Sequence, residues 1–316
     1  MMVAVVGAGY GGLSLCWHLL QLGIGVTLFD AVGVGGGASG ASTGLLHPYP
    51  AKLARRSPRA DEAMEAAGEL IAIAEHALGG PVASHSGIVR FAMNEEQTKA
   101  FQEPFSDAAS LDEEAIRKRF PDVTATAGLW IPRGKTIFAG PYLKGLWLAC
   151  EQRGAIFQGR RIENLEELND FDGIVLASGA DLERFHLPVN PRYGQALLCR
   201  WPNEMEKLPC SLIGYGHLSL TEDPDLCLLG STYENEFDLK RALSLRDQIG
   251  SFYPPARTFE IIDVKRGIRM ASKQGVLPII QQIGPSRWVF TGLGSRGLLY
   301  HGLYGKELAQ IIAQRS

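Results

Sequence analysis

A glycine motif between two short apolar segments is the sequence feature that most constrains the fold. Residues 3–6 and 26–29 are typical of buried strands and residues 13–22 of a helix, which predicts a strand–helix–strand unit covered on both faces. The motif G-x-G-x-x-G follows the first strand and opens the helix. It is formed by Gly7, Ala8, Gly9, Tyr10, Gly11 and Gly12. The second strand ends at Asp30, 18 residues after the last glycine of the motif.

This motif is typical of a dinucleotide-binding turn. Gly7 allows the tight turn, Gly9 lets backbone N–H groups approach a pyrophosphate, and Gly12 lets the helix pack closely against the strand. The positive end of the helix dipole also favours the pyrophosphate. Asp30 is placed to accept hydrogen bonds from a ribose hydroxyl, which favours FAD or NAD over NADP. The alternative is a glycine-rich turn that binds no ligand.

A second glycine-rich loop follows directly, over residues 33–50. NAD does not need so long a run of small residues, whereas FAD needs backbone and hydroxyl groups close to a second phosphate and a ring system. We therefore expect cofactor contacts from Ser39, Gly40, Ala41 and Ser42. His47 and Tyr49 end the loop and are expected to approach the flavin or the substrate. The alternative is a flexible surface loop.

Composition excludes several other classes of protein. The 316 residues carry a net charge of -3, with 46% hydrophobic and 21% charged residues, which is typical of a globular chain and argues against a broad nucleic-acid surface. Five spread cysteines without C-x-x-C, and seven scattered histidines, favour a reduced cytoplasmic protein with no metal site. Residues 1–29 carry no charged side chain, but they lack both a basic segment and an apolar run of about 20 residues. Neither a signal peptide nor a membrane span is expected.

Four stretches of the chain, residues 3–30, 36–42, 173–180 and 292–298, resemble the D-amino-acid-oxidase-like (DAO) family of FAD-dependent oxidoreductases. Within the family the likeness is greatest to glycine and D-amino-acid oxidases and to the oxidase domain of a bifunctional tRNA wobble-uridine modification enzyme. The resemblance implies FAD held noncovalently, because no cysteine lies where related enzymes attach the flavin. It also implies cofactor contacts from Ala177, Gly179, Gly294, Ser295, Arg296, Gly297 and Leu298.

The expected fold class is α/β, with a Rossmann-like FAD-binding domain interleaved with an α+β substrate domain built on an antiparallel sheet. Residues 1–85, 140–185 and 258–316 are assigned to the FAD-binding domain, and residues 86–139 and 186–257 to the substrate domain.

Within the substrate domain, residues 95–110 predict an amphipathic helix. Residues 196–200, 218–220 and 226–229 predict short strands separated by turns.

The resemblance implies oxidation of the C–N bond of a small amino acid or secondary amine. Hydride passes to flavin N5, and the resulting imine hydrolyses. Arg269 is the candidate anchor for a substrate carboxylate, since a guanidinium can bind a carboxylate through two parallel hydrogen bonds. It also matches the arginine that the resembling enzymes use for this purpose. Arg266 competes for the role, and a surface arginine within a basic run is the other alternative.

Two other functions stay open at this point. One is an FAD-dependent tRNA-modification oxidase that removes a carboxymethyl group from an aminomethyl-uridine, and the other is a flavoprotein-like fold that binds a nucleotide without turnover. The basic run formed by Lys52, Arg55, Arg56 and Arg59 could contact an RNA backbone, although a solvated loop is favoured. A small amine is therefore preferred to tRNA as the partner. The sequence leaves the oligomeric state open.

Overall fold

A computed structural model of the chain describes residues 1–185 and 187–314, without the side chains of residues 183–185. The helices of this part are α1 (Tyr10–Gln21), α2 (Ala60–Leu78), α3 (Glu95–Gln102), α4 (Glu113–Arg119), α5 (Ala139–Gln152), α6 (Leu239–Gly250) and α7 (Gly297–Ala313). The strands are β1 (Met2–Val6), β2 (Gly25–Phe29), β3 (Leu45–Leu46), β4 (Ala83–Ser84), β5 (Ile88–Phe91), β6 (Ala109–Leu111), β7 (Gly128–Ile131), β8 (Lys135–Ile137), β9 (Ile156–Gln158), β10 (Gly173–Leu176), β11 (Val189–Arg200), β12 (Ser211–Gly214), β13 (Gly216–Leu220), β14 (Leu226–Gly230), β15 (Glu260–Ser272), β16 (Ile279–Gly284) and β17 (Arg287–Thr291).

The glycine motif belongs to a six-stranded sheet with the order β16-β17-β10-β1-β2-β9. Strand β1 is parallel to both β2 and β10, and β10 is parallel to β17. Helices α1, α2, α5 and α7 pack together on one face, and a second apolar cluster covers the other. Burial on both faces explains why the first strands carry no charged side chain. Strand β9 is likewise parallel to β2, so the carboxyl ends of five parallel strands meet at one edge, where open α/β sheets bind their ligands.

A second sheet has eight strands in the order β15-β11-β14-β13-β12-β5-β7-β6. Its strand pairs are antiparallel except for β5 with β12. A separate apolar core packs against it, to which α6 contributes. Strands β3, β8 and β4 form a third, small sheet. The predicted α/β fold class with two interleaved units is thus confirmed.

Strand β15 lies in the eight-stranded sheet, where it pairs with β11 along Val189–Arg200. Its residues 260–272 fall in the segment 258–316 that the sequence assigns to the FAD-binding domain. The chain changes sheet only after β15, because its backbone hydrogen-bond partner is β11 and not a strand of the other sheet. This pairing places Arg269 in the eight-stranded sheet.

The helix predicted over residues 95–110 is wrong in its second half. Helix α3 ends at Gln102, and Ala109–Leu111 forms a strand instead. The physical reason is Pro104, which disfavours a helical backbone at the residue before it. Glu103 accordingly has the extended values φ -63° and ψ 150°.

Among the helices of the described residues, none combines the length and the apolarity that crossing a membrane requires.

Candidate functional site

A cavity of about 690 Å³ lies at the carboxyl edge of the six-stranded sheet and extends to the eight-stranded sheet. Both predicted glycine-rich segments and the C-terminal loop reach its wall. The predicted residues that line it are Gly7, Gly9, Tyr10, Gly11, Asp30, Ser39, Ser42, His47, Ala177, Gly179, Arg269, Gly294, Ser295, Arg296, Gly297 and Leu298. The remaining predicted residues, Ala8, Gly12, Gly40, Ala41 and Tyr49, do not line it. Segments far apart in the sequence therefore meet around one space.

The glycine motif has no room for side chains. Gly7 has φ +112°, and an added Cβ would lie 2.4 Å from the carbonyl oxygen of Ala177 on the neighbouring strand end. At Gly12 an added Cβ would lie 1.8 Å from the carbonyl oxygen of Gly7. Gly12 thus provides the close contact between α1 and the end of β1, although it does not face the cavity. The backbone of the motif can approach a ligand because these glycines hold it tightly against the sheet.

Helix α1 begins directly at the cavity. Its N-cap is Gly9, which has no side chain to bond the first N–H groups. The Oγ of Ser39, from the second glycine-rich loop, accepts a hydrogen bond of 3.0 Å from the N–H of Tyr10. The helix therefore presents its positive end toward the space between the two loops, which suits a phosphate group.

Asp30 holds both loops through backbone N–H groups. Its Oδ2 accepts from Ala8 at 2.8 Å, and its Oδ1 accepts from Val32 at 2.9 Å and from Gly33 at 3.0 Å. A carboxylate offers about four acceptor positions, so three protein donors leave one for a hydroxyl in the cavity. Asp30 can accept a ribose hydroxyl while it also orders the motif.

Within the second loop, the residues face two ways. Ser39 and Ser42 line the main cavity, whereas Gly40 and Ala41 line a smaller hollow beside Phe138. The loop is held between the two sheets, since an added Cβ at Gly267 on β15 would lie 2.8 Å from the Cα of Ala38. This contact makes the loop a fixed part of the cavity wall.

Helix α7 directs a second positive helix end at the cavity. Its first turn has no acidic residue, and no side chain caps it. The N-cap residue Arg296 has a buried Nε without a hydrogen-bond partner among the described residues. An uncapped helix N-terminus and a buried unpartnered donor together suit a ring edge that carries negative charge. The residues present therefore fit a dinucleotide with a flavin ring between α1 and α7.

Arg269 carries an uncompensated positive charge where the eight-stranded sheet lines the cavity. Its guanidinium donates hydrogen bonds of 3.2 Å to the carbonyl oxygen of Thr232 and 3.2 Å to Ser231 Oγ. Burial lowers the pKa of Arg269 below its usual value. Among the described residues, no carboxylate oxygen lies within 4.0 Å of the Arg269 guanidinium, the limit for an ion pair. The charge is therefore open to an anionic ligand.

The side chain of Arg269 lies over Gly194 of β11, where an added Cβ would meet it at 2.2 Å. The competing Arg266 also lines the cavity but lies farther out, with its guanidinium 5.9 Å from the ring centre of Phe237. The two arginines thus occupy different parts of the wall.

Two neutral histidines lie between the loops and the eight-stranded sheet. The Nδ1 of His47 accepts a hydrogen bond of 3.3 Å from the N–H of Tyr49, which leaves the ring proton on Nε2. Burial, the nearby positive charge of Arg90 and the neighbouring His217 ring lower the pKa of His47 to about 3. Burial and the charge of Arg269 lower the pKa of His217 to about 3. Both rings are therefore uncharged at neutral pH.

His217 lines the cavity, and its Nε2 lies 2.7 Å from the Oγ1 of Thr43. His217 is not among the residues predicted to line the site. It lies in the short strand β13 without a motif, and only the register of β13 against β14 brings it to this wall. Among the described residues, no group of three His, Cys, Asp or Glu side chains could hold a metal ion.

Tyr49 lies outside the cavity, contrary to the expectation that it approaches the flavin or the substrate. Its hydroxyl contacts the Asp107 carboxylate and accepts a hydrogen bond of 3.0 Å from Arg56. Its ring packs edge-on against Phe105 at 5.2 Å. The side chain points away from the cavity because this ion-pair cluster satisfies its hydroxyl.

The basic run after the second loop is largely neutralised by carboxylates. Lys52 pairs with Glu96, Arg56 with Asp61 and Asp107, and Arg59 with Glu62 and Glu307. Among the described residues, Arg55 is the member of the run without a carboxylate within ion-pair distance. The run therefore offers less free positive charge to an RNA backbone than its sequence implies.

Comparison with known proteins agrees with a site that fits FAD. The family model described as DAO, FAD dependent oxidoreductase, matches residues 2–311. The tRNA 5-methylaminomethyl-2-thiouridine biosynthesis bifunctional protein MnmC of Maricaulis maris (strain MCS10) is 27% identical over 326 aligned positions, which cover 97% of this chain and 51% of that protein. The chain therefore spans about half the length of this curated relative.

Solved structures of two oxidases share the fold. Glycine oxidase from Geobacillus kaustophilus has a TM-score of 0.83 at 19% identity, covering 99% of this chain and 94% of that one. Iminodiacetate oxidase from Chelativorans sp. BNC1 has a TM-score of 0.81 at 18% identity, covering 99% of this chain and 95% of that one. Since the family model spans nearly the whole sequence, this chain belongs to the DAO family of FAD-dependent oxidoreductases.

Proposed function

We propose that this enzyme oxidises the C–N bond of a small amino acid or secondary amine that carries a carboxylate. One observation carries the proposal: Arg269, which has no carboxylate partner among the described residues, lines the same cavity as the glycine motif. A dinucleotide cradle alone would fit many reactions. A buried cation facing it adds a site for a substrate anion next to the cofactor.

The geometry supports an assignment of the residues that would hold FAD. The N-terminus of α1, with Gly9 and Ser39, suits the pyrophosphate, and Asp30 suits the ribose. The N-terminus of α7, with Arg296, suits the negative edge of the ring. Noncovalent binding is supported by the described cavity wall, whose residues include no cysteine. When bound, FAD supplies the acceptor for a hydride.

The substrate end of the cavity can orient an amine. Arg269 uses two of its five N–H groups for Ser231 and Thr232, which leaves donors for a carboxylate. A bidentate contact fixes the direction of the adjacent Cα–H bond, which is the main requirement for hydride transfer. His47 and His217 stay uncharged, so they add no repulsion to an amine. Loss of hydride from carbon and of a proton from nitrogen gives an imine, which water hydrolyses.

The test is anaerobic bleaching of the visible flavin band by glycine, sarcosine, proline and D-amino acids. We expect at least one of these to bleach it, and we expect acid precipitation to release the flavin from the protein. Failure of the protein to show a flavin band after FAD is added would overturn the cofactor assignment. A flavin band that no carboxylate-bearing amine bleaches would overturn the substrate class.

The second candidate function is removal of a carboxymethyl group from an aminomethyl-uridine in tRNA by the same C–N oxidation. It is supported by the similarity to the MnmC protein of Maricaulis maris over 97% of this chain. The ion pairs that neutralise Lys52, Arg56 and Arg59 argue against it. Bleaching by tRNA that carries the carboxymethylaminomethyl group, but by no free amine, would favour it over the first candidate.

A further inference from the structure

Two aromatic side chains at the cavity wall are unusually exposed. Tyr233 and Phe237 line the cavity, yet their exposed fractions are 53% and 38%. A third ring, Tyr193 of β11, packs edge-on against Phe237 with 4.9 Å between ring centres. We call Tyr193, Tyr233 and Phe237 the aromatic rim. Large apolar surfaces left in water at a cavity commonly mark a ligand contact.

The aromatic rim is directly connected to the carboxylate anchor. Arg269 donates to Ser231 and to the carbonyl oxygen of Thr232, and Tyr233 is the next residue along the chain. The rim therefore begins one residue after Thr232, a hydrogen-bond partner of the anchor. Arg269, Tyr233 and Phe237 line the same cavity, so the nitrogen substituent of a glycine unit held at Arg269 can extend toward the rim.

The segment that carries the rim is fixed by backbone hydrogen bonds. Tyr193 and Glu234 exchange bonds of 2.9 Å and 3.0 Å, and the N–H of Thr232 donates to the carbonyl oxygen of Gln195 at 3.0 Å. The side chain of Gln195 accepts from the N–H of Asp238 at 2.8 Å. Strand β11 thus holds both ends of the segment, and the rings are positioned before a ligand arrives.

Each exposed ring is also paired with a guanidinium. Arg192 lies over Tyr233 at 5.6 Å, and Arg266 lies over Phe237 at 5.9 Å. A cation over a ring is attracted to the electron-rich face, which holds the ring in place. The exposed remainder of each ring is free to contact another flat group in an offset-stacked or edge-to-face arrangement.

From this juxtaposition we propose that the preferred substrate is a secondary amine with a planar aromatic substituent on nitrogen, which packs on the aromatic rim while its carboxylate binds Arg269. The inference rests on the proposed function and narrows its substrate class. An aliphatic substituent of equal size would gain the apolar contact but not the ring–ring contact. The rim thereby selects among glycine derivatives by their nitrogen substituent.

The first test measures turnover of sarcosine, N-benzylglycine and N-(cyclohexylmethyl)glycine by the FAD-loaded enzyme. We expect kcat/KM to be about tenfold higher for N-benzylglycine than for each of the others, which corresponds to about 1.4 kcal/mol. Tyr233→Leu and Phe237→Leu should each reduce the benzyl-to-cyclohexylmethyl ratio. The matched control is Tyr215→Leu, because Tyr215 is 55% exposed and does not line the cavity.

The second test is binding without turnover. Titration calorimetry compares (benzylthio)acetate with (methylthio)acetate, which keep the carboxylate and lack the amine to be oxidised. We expect the benzyl compound to bind about tenfold more tightly to the parent protein, and equally with the methyl compound in Phe237→Leu. Equal affinities in the parent, or an unchanged difference in Phe237→Leu, would overturn the rim assignment.

These tests separate the two levels of the proposal. If no amine bleaches the flavin but the calorimetric preference holds, the proposed reaction fails and the rim remains a ring-binding site. If sarcosine bleaches the flavin and the cyclohexylmethyl compound matches the benzyl compound, the reaction holds and the aromatic preference is refuted. A change of oligomeric state in the rim variants without any change in the ratios would show instead that a second copy of the chain covers the rings.

Discussion

Replacing Arg269 by methionine separates the effect of a buried charge on protein stability from its contribution to substrate binding. In the parent, the guanidinium is desolvated and makes two hydrogen bonds of 3.2 Å, with no carboxylate partner among the described residues. Truncating one member of a buried, hydrogen-bonded charge pair costs about 2–5 kcal/mol. The substrate dissociation constant should therefore rise by about 30-fold or more, since about 1.4 kcal/mol is tenfold.

The same change should leave the protein without substrate nearly as stable as the parent. Two hydrogen bonds are lost, at about 0.5–1.5 kcal/mol each, but the protein no longer has to bury an uncompensated cation. The free energy of unfolding of Arg269→Met should stay within about 1 kcal/mol of the parent value. A large loss of stability would show that the guanidinium is a structural group whose main partners are Ser231 and Thr232.

The assay is anaerobic stopped-flow bleaching over a range of substrate concentrations, with urea unfolding in parallel. It yields the dissociation constant and the rate of flavin reduction separately, and flavin content should be normal. The matched control is Arg200→Met, at the opposite end of the same strand pair, where Glu260 already neutralises the arginine at 3.1 Å. An unchanged dissociation constant with full turnover would remove Arg269 from the substrate site.

Other predictions test the cofactor cradle, the histidines and the basic run. Gly9→Val should abolish flavin binding, because an added Cβ lies 2.8 Å from Ser39 Oγ and the valine methyl groups extend into the space for the pyrophosphate. A normal ratio of flavin to protein absorbance in this variant would refute the assignment of the glycine motif to cofactor binding. His47 and His217 have folded-state pKa values of about 3, below the usual value of 6.5, so the unfolded chain binds more protons. The free energy of unfolding should therefore fall as the pH is lowered from about 6.5 toward 3, by about 1.4 kcal/mol per pH unit for each ring. His217→Gln should reduce this pH dependence by about 1.4 kcal/mol per pH unit, because one of the two rings is removed. An unchanged pH dependence in urea titrations of this variant would contradict the assignment of His217 as neutral. Arg55→Gln should leave any tRNA affinity and its salt dependence unchanged, and a lower slope of affinity against salt in filter-binding assays would make the run an RNA contact.

The local part of the fold is predictable from sequence because it depends on residues that are close together. The strand–turn–helix around Gly7 and Gly12 follows from apolar periodicity and from two backbone contacts that leave no room for a Cβ. The end of α3 also has a local cause in Pro104, but the helix predicted over residues 95–110 ran past this proline. The family resemblance added the cofactor contacts that are expected near the C-terminus, such as the one at Arg296.

What the sequence does not reveal depends on register between distant strands. His217 reaches the cavity because β13 pairs with β14, and Arg269 belongs to the eight-stranded sheet because β15 pairs with β11. Neither pairing has a local signature. The orientation of Tyr49 is a similar case, because Asp107, 58 positions later in the chain, satisfies its hydroxyl.

The interleaving of the two large sheets has a consequence for cutting or truncating the protein. The six-stranded sheet takes strands from residues 2–29, 156–176 and 279–291, and the eight-stranded sheet takes its strands from residues 88–131 and 189–272. No single cut leaves a contiguous fragment that contains one whole sheet without part of the other. A nick in a connection between strands should therefore leave two fragments that stay associated. The chain should unfold in one cooperative step, and a ligand bound in the cavity between the sheets should raise the midpoint temperature.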